Sequence, residues 1–167
     1  MYRPGAFAVD DPSVLREVLR KRVFATFAAV RDGQVLFAYA PVVVGEQGVR
    51  FHLAVGNPLS RLEDGARVRM SMLAADAYVS PDWYRTVVTV PTWNYVAVEG
   101  VGAVRRLTRE ELHALVVELS AQEEGKLAPK PPWLLDKVDE ARREALLNGI
   151  VGFALSFERL EGKFKLS

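Results

Sequence analysis

The sequence predicts a mainly β fold, an antiparallel barrel of six or so strands with flanking helices. Three observations point there. Six stretches alternate apolar and polar residues with the period of a half-buried strand. Short turn signals join them, notably Asp32-Gly33 and Gly45 to Gly48. Helical spacing is confined to the N-terminal region, a short piece after Asn57 and one block at about 108–147. At 167 residues the chain reads as one domain, 1–167, with that block as a helical insertion.

The elements follow in order. Asp11-Pro12-Ser13 spells a helix start, with Asp11 as cap, and Val14, Leu15, Val18 and Leu19 share one face of a short amphipathic helix. Val23 to Val30 and Val35 to Val44 form a hairpin around Asp32-Gly33, and Val49 to Ala54 is the next strand. Asn57-Pro58 opens a one- or two-turn helix that Gly65 closes. Val68, Met70 and Met72 alternate with Arg67, Arg69 and Ser71, a strand with one inward face. Val96 to Val104 is another strand, whose Gly100 and Gly102 signal a bend or a close backbone approach. Thr108 and Glu111 make a capping box for a helix striped by Leu112, Leu115, Val116 and Leu119. Gly125 to Pro132 is a connector, Leu135 to Leu147 is helical, and Val151 to Phe157 is the last strand.

Composition narrows the chemistry. Cysteine is absent, which removes disulfides, thiolate metal sites and cysteine nucleophiles. His52 and His113 are the two histidines, too few for a histidine-rich zinc site. No GxSxG elbow is present, so hydrolase chemistry has no support. A net charge of +1 without a basic stripe argues against direct DNA binding. The cations Lys137, Arg142 and Arg143 are diluted by Asp136, Asp139, Glu140 and Glu144. No apolar run reaches the roughly 20 residues of a membrane span, and Met1 to Gly5 lacks a signal-peptide core, so a cytoplasmic protein is expected.

The stretch from Tyr78 to Tyr95 carries two tryptophans and three tyrosines in eighteen positions. Such rings each bury roughly 150–250 Å² and need a surface to cover. The chain's own core would serve; so would a flat heteroaromatic ligand or a second subunit.

On its words the sequence resembles the PaiB family of FMN-binding negative transcriptional regulators. The words are Met1-Tyr2-Arg3-Pro4, Ala25-Thr26-Phe27 with Pro41, His52-Leu53-Ala54 with Asn57-Pro58, and Tyr78-Val79-Ser80-Pro81 with Trp83-Tyr84. They continue with Val90-Pro91-Thr92-Trp93-Asn94-Tyr95, Ile150-Val151-Gly152-Phe153 and Glu161 to Ser167, covering almost the whole chain. The resemblance implies a split β-barrel related to pyridoxamine-phosphate oxidase barrels, a homodimer, and FMN in a groove between subunits. It also implies a transcriptional regulator or a flavin-dependent oxidoreductase.

An FMN site needs a pocket for the phosphate, an aromatic wall for the ring and donors near its carbonyls. The expected phosphate ligands are the Asn57-Pro58 helix start with Arg61, Arg69, Lys163 and Lys165. Trp83, Tyr84, Thr92, Trp93 and Asn94 are the expected ring wall and polar contacts, and His52 an expected donor to the cofactor. Two positions depart from the family pattern. Val55-Gly56 stands where the family has Arg-Ala, and Tyr39 stands where it tends to have histidine. Losing the arginine implies weak or absent FMN. A non-enzymatic binding protein, or a barrel with a decayed cofactor site, therefore stays open beside the flavoprotein.

Overall fold

The computed structural model describes residues 1–84 and 90–166. Eight strands form one antiparallel sheet: β1 (Ala8–Val9), β2 (Phe24–Arg31), β3 (Gln34–Pro41), β4 (Val43–Val44), β5 (Gly48–Ala54), β6 (Arg67–Val79), β7 (Thr92–Arg106) and β8 (Ile150–Lys165). Their order is β3-β2-β6-β7-β8-β5-β4, with β1 on β8. β3 packs near β5 without being its hydrogen-bonded neighbour, which leaves a seam in the barrel. The six expected strands are the six of seven residues or more, but the one expected over Val35 to Val44 breaks at Val42 into β3, which pairs with β2, and the two-residue β4, which pairs with β5; β1 is an addition.

Alternation places the core. Phe27, Phe51 and Phe153 point inward from β2, β5 and β8 and stack, with centroids 3.9 Å and 5.5 Å apart. Met70, Met72 and Leu155 complete this centre. Helix α1 (Pro12–Arg22) closes one end with Leu15 and Leu19, and Asp11 caps it by accepting from the Ser13 N–H.

Three further differences bear on the site. The expected helix after Asn57 is a four-residue 3₁₀ turn, Pro58–Arg61, because Leu59 and Leu62, three apart, both need burial. β6 and β7 run far into the aromatic stretch, Tyr78 pairing with Trp93 and Val79 with Thr92. β8 continues past Phe157 to Lys165, after a bulge opposite Val101/Gly102. Gly102 meets the close approach expected of it: a Cβ there would lie 1.8 Å from the Ser156 carbonyl oxygen.

Between β7 and β8 the chain forms α2 (Arg109–Gly125) and α3 (Glu140–Asn148). The helix expected over Leu135 to Leu147 is split, a 3₁₀ turn at Leu135–Lys137 preceding α3, because Asp139 caps a new start by accepting from the Arg142 N–H. The capping box is complete: the Glu111 N–H donates to Thr108 Oγ1, and the Thr108 N–H donates to Glu111 Oε2. α2 settles on β8 at Gly152, where a Cβ would come within 3.0 Å of Leu112. Among the described residues no helix is long and apolar enough to cross a membrane.

Candidate functional site

Cross-strand partners share a face of the sheet, so the register gives the outer surface of the barrel directly. One outward row reads Tyr39, Thr26, Ser71, Glu99, Glu161 across five strands, and the next reads Phe37, Ala28, Arg69, Val101, Arg159. The β2–β3 end is aromatic and exposed: Phe24, Phe37 and Tyr39 each show more than half their surface. The other end is ionic. Arg69 donates to Glu99 at 2.7 Å, and the amino group of Met1 reaches Glu161 at 2.9 Å and Glu99 at 3.3 Å. Arg69 is thus already matched by an acid, which weakens its claim on a phosphate.

β2 meets β6 only at residues 69–71 and β8 pairs with β7 only as far as Tyr95, so Ala77 to Val79 and Thr92 to Asn94 extend as a two-stranded arm. Tyr78 and Trp93 lie edge to face across it, 6.1 Å apart. Beyond Tyr78 the Ser80 side chain caps the short turn Pro81–Trp83, as expected of a turn initiator. The rings are not core: Trp83 is 72% and Trp93 56% exposed, and Tyr84 is exposed as well. β8 ends beside the arm at Tyr95, and from there Lys165 reaches along it, donating to the Trp93 carbonyl at 2.7 Å and to Thr92 Oγ1. Lys163 differs in kind. It is 8% exposed and lies 5.2 Å from the ring centres of both Tyr2 and Tyr95, a cation held between two aromatic faces. Lys165, Thr92, Trp93 and the Lys163–Tyr95 pair are therefore gathered at one place. Asn94 is half-buried on the same strand. Ser167, the end of the matched tail, lies outside the described residues.

Asn57 and Arg61 sit elsewhere, on the 3₁₀ turn packed against β3 and β5 at the seam. Asn57 Oδ1 accepts from the Leu59 N–H, and the Ser60 N–H donates to the Asn57 carbonyl. The backbone donors expected to meet a phosphate are thus consumed within the turn. Arg61 is exposed and in no ion pair among the described residues. Val55, half-exposed beside it, has its backbone engaged on both sides: its N–H donates to the Gly149 carbonyl, and its carbonyl accepts from Ser60 Oγ.

His52 is in neither group. Phe51 and Leu53 point into the barrel, so His52 points out, under the helical insertion. There it lines a cavity of about 350 Å³ with Trp133, Val116 and Arg143. Its Nδ1 is buried without a hydrogen-bond partner, and burial lowers its pKa. Gly152, its partner on β8, is thirteen residues from Lys165, roughly 40 Å of strand. Sequence reasoning passed over Trp133 and Tyr78. Tyr78 was legible, since it stands directly opposite Trp93 once β6 is extended; nothing local marks Trp133. Among the described residues no three His, Asp or Glu side chains gather as for a metal ion.

The architecture defines the class. The chain superposes on the FAD and heme binding protein of Mycobacterium smegmatis with a TM-score of 0.72, at 18% identity, over 96% of this chain and 74% of that one. On the flavocytochrome Anf3 of Azotobacter vinelandii the TM-score is 0.70, at 15% identity, over 100% and 73%. This is the antiparallel split barrel. Residues 1–159 match the family described as "Putative FMN-binding domain", and the chain belongs to that family. A relative in Bacillus subtilis, "Protease synthase and sporulation protein PAI 2", is 30% identical over all of this chain and 82% of its own length, which bears out the PaiB resemblance.

Proposed function

We propose that this protein is a flavin-binding homodimer in which FMN lies between the aromatic arm of one copy and the seam of the other. The observation that carries this is the arm: exposed Trp93 on a strand pair held by Lys165, with exposed Trp83 and Tyr84 on the turn that follows β6. A surface of this kind is costly to leave wet and marks a binding face. In the sheet order the arm's strands β6 and β7 and the seam between β3 and β5 are on different parts of one barrel. A second copy, docking on the apolar face of Phe24, Phe37 and Tyr39, would supply the opposite wall.

The residues present suit the group in part. Trp93, Tyr84 and Trp83 offer rings to a flat heterocycle, Thr92 and Asn94 offer polar contacts, and Arg61, in no ion pair among the described residues, offers a cation to the phosphate. Val55 offers none where the family has arginine, so affinity for FMN is low. When bound, the flavin would supply electron or hydride transfer; this chain's residues position it and exclude water from one face. His52 is not among those residues, since it lies beneath the insertion.

A second reading is favoured by Val55 and Tyr39: a regulatory protein that holds a flavin loosely or not at all. The name of the Bacillus subtilis relative, a protease synthase and sporulation protein, supports a regulatory role. Direct DNA contact is not part of it, because Lys137 and Arg142 stand among Asp136, Asp139 and Glu140, and Arg143 lines the cavity under α3.

Titration of FMN into the purified protein, followed by quenching of flavin fluorescence, tests the proposal. Saturable quenching that is lost in Trp93→Ala supports it. No quenching at high micromolar flavin, with a dimer still present, leaves the regulatory reading standing.

A further inference from the structure

We infer that the cavity beneath the helical insertion is a second ligand site, which takes a small apolar carboxylate of one or two rings. The site is built where α2, the segment around Trp133 and α3 cover the outer face of β5 and β8. Trp133, Val116 and Ile150 give apolar walls, and three polar groups converge on them: His52, Ser120 and Arg143.

Two of these groups are uncommitted, His52 Nδ1 and the Arg143 guanidinium. Buried polar atoms are nearly always hydrogen-bonded, yet His52 Nδ1 is buried and unsatisfied. Arg143 is half-buried and in no ion pair among the described residues, whereas Glu144 beside it is taken by Arg109. Neighbouring ions are used: Arg50, which shares the outer face of β5 with His52, donates to Glu118 on α2 at 2.6 Å. The wall is also held in place. Glu124 accepts from the Trp133 N–H at 2.7 Å and from Lys130, which fixes the connector that presents the indole.

The lining decides the ligand class. One guanidinium among apolar walls matches one negative charge on an apolar body, and a phosphate would need more cations than the lining holds. A volume of about 350 Å³ is near the lower end for small-molecule sites, which limits the occupant to one or two rings. The imidazole, kept neutral by burial, supplies one directional bond. The site is distinct from both halves of the proposed flavin slot: Lys165 of the arm is thirteen residues away along β8, and none of Val55, Asn57 and Arg61 at the neighbouring seam lines the cavity.

The experiment uses the whole chain labelled with ¹⁵N and follows the Trp133 indole N–H resonance, assigned by Trp133→Phe. The probes are benzoate, phenylacetate and indole-3-acetate, with indole-3-acetamide as the uncharged comparison. A saturable shift with at least one carboxylate is expected. It should weaken by about tenfold or more with the amide, and equally in Arg143→Gln, since a charge-assisted bond is lost. Ser120→Phe, which fills the cavity, should abolish it. Arg143→Gln breaks no ion pair and should fold normally. Saturating FMN should leave the shift unchanged whether or not flavin binds at the arm. No saturable shift at millimolar probe, a shift insensitive to Arg143→Gln, or displacement by FMN would each overturn the inference.

Discussion

Val55→Arg tests the account of weak flavin binding most sharply, because it restores the one charge that the family pattern has and this chain lacks. The site can accept the change. Val55 is 50% exposed, so little apolar burial is lost, and both its backbone hydrogen bonds are independent of the side chain. A hydrogen bond between an arginine and a phosphate contributes roughly 1.5–3 kcal/mol, or about ten- to a hundredfold in affinity. Solvent screening at a half-exposed position favours the lower figure, so about tenfold is expected at physiological salt. Fluorescence titration with FMN and with riboflavin measures it. The gain should appear for FMN only, because riboflavin lacks the phosphate, and Val55→Met should give none. Equal gains for both flavins, or none for either, would refute the placement of the phosphate near residues 55–61.

Other expectations follow from the same geometry. Lys165→Met removes the bonds to Thr92 and the Trp93 carbonyl, so amide exchange at residues 92–95 should speed up and FMN affinity should fall while the melting temperature changes little. Gly102→Ala forces a methyl against the Ser156 carbonyl at the bulge and should destabilise the fold by about 3 kcal/mol in urea unfolding. Glu111 is held at about 2, chiefly by Arg105 and then by the Thr108 N–H. Its folded pKa lies below the unfolded value of 4.5, so its contribution is present above that pH and is lost as pH falls towards 2. The helical signal of wild type should therefore decline over that window more steeply than that of Glu111→Gln. Burial lowers the pKa of His52, so its ring should titrate below the 6.5 of a free histidine, and the stability tied to its neutral form is kept above 6.5 and lost as pH falls beneath it.

How much was legible depended on whether local pattern or distant packing decides each element. The hairpin of β2 and β3 could be read because Ala25, Phe27 and Ala29 alternate cleanly around a two-residue turn. The arm was under-read because Pro81 and Pro91 resemble loop punctuation, while the pairing of Tyr78 with Trp93 is a cross-strand fact. β8 was cut short at Phe157, where the bulge shifts the alternation. His52 shows both limits. Its strand period already turned it away from the core, but the helices that cover it come from residues sixty to a hundred positions later. The matched words were seen as one site, whereas the fold divides them between the arm and the seam, a division that a sequence read along one chain does not reveal.

Sedimentation velocity of the protein with FMN, recorded both in the ultraviolet and at the visible flavin band, tests the central claim most directly. The account predicts that flavin co-sediments with a dimer, one FMN per chain, and that Trp93→Ala releases it. Flavin travelling with a monomer, or a dimer from which flavin is absent at every concentration, would contradict it.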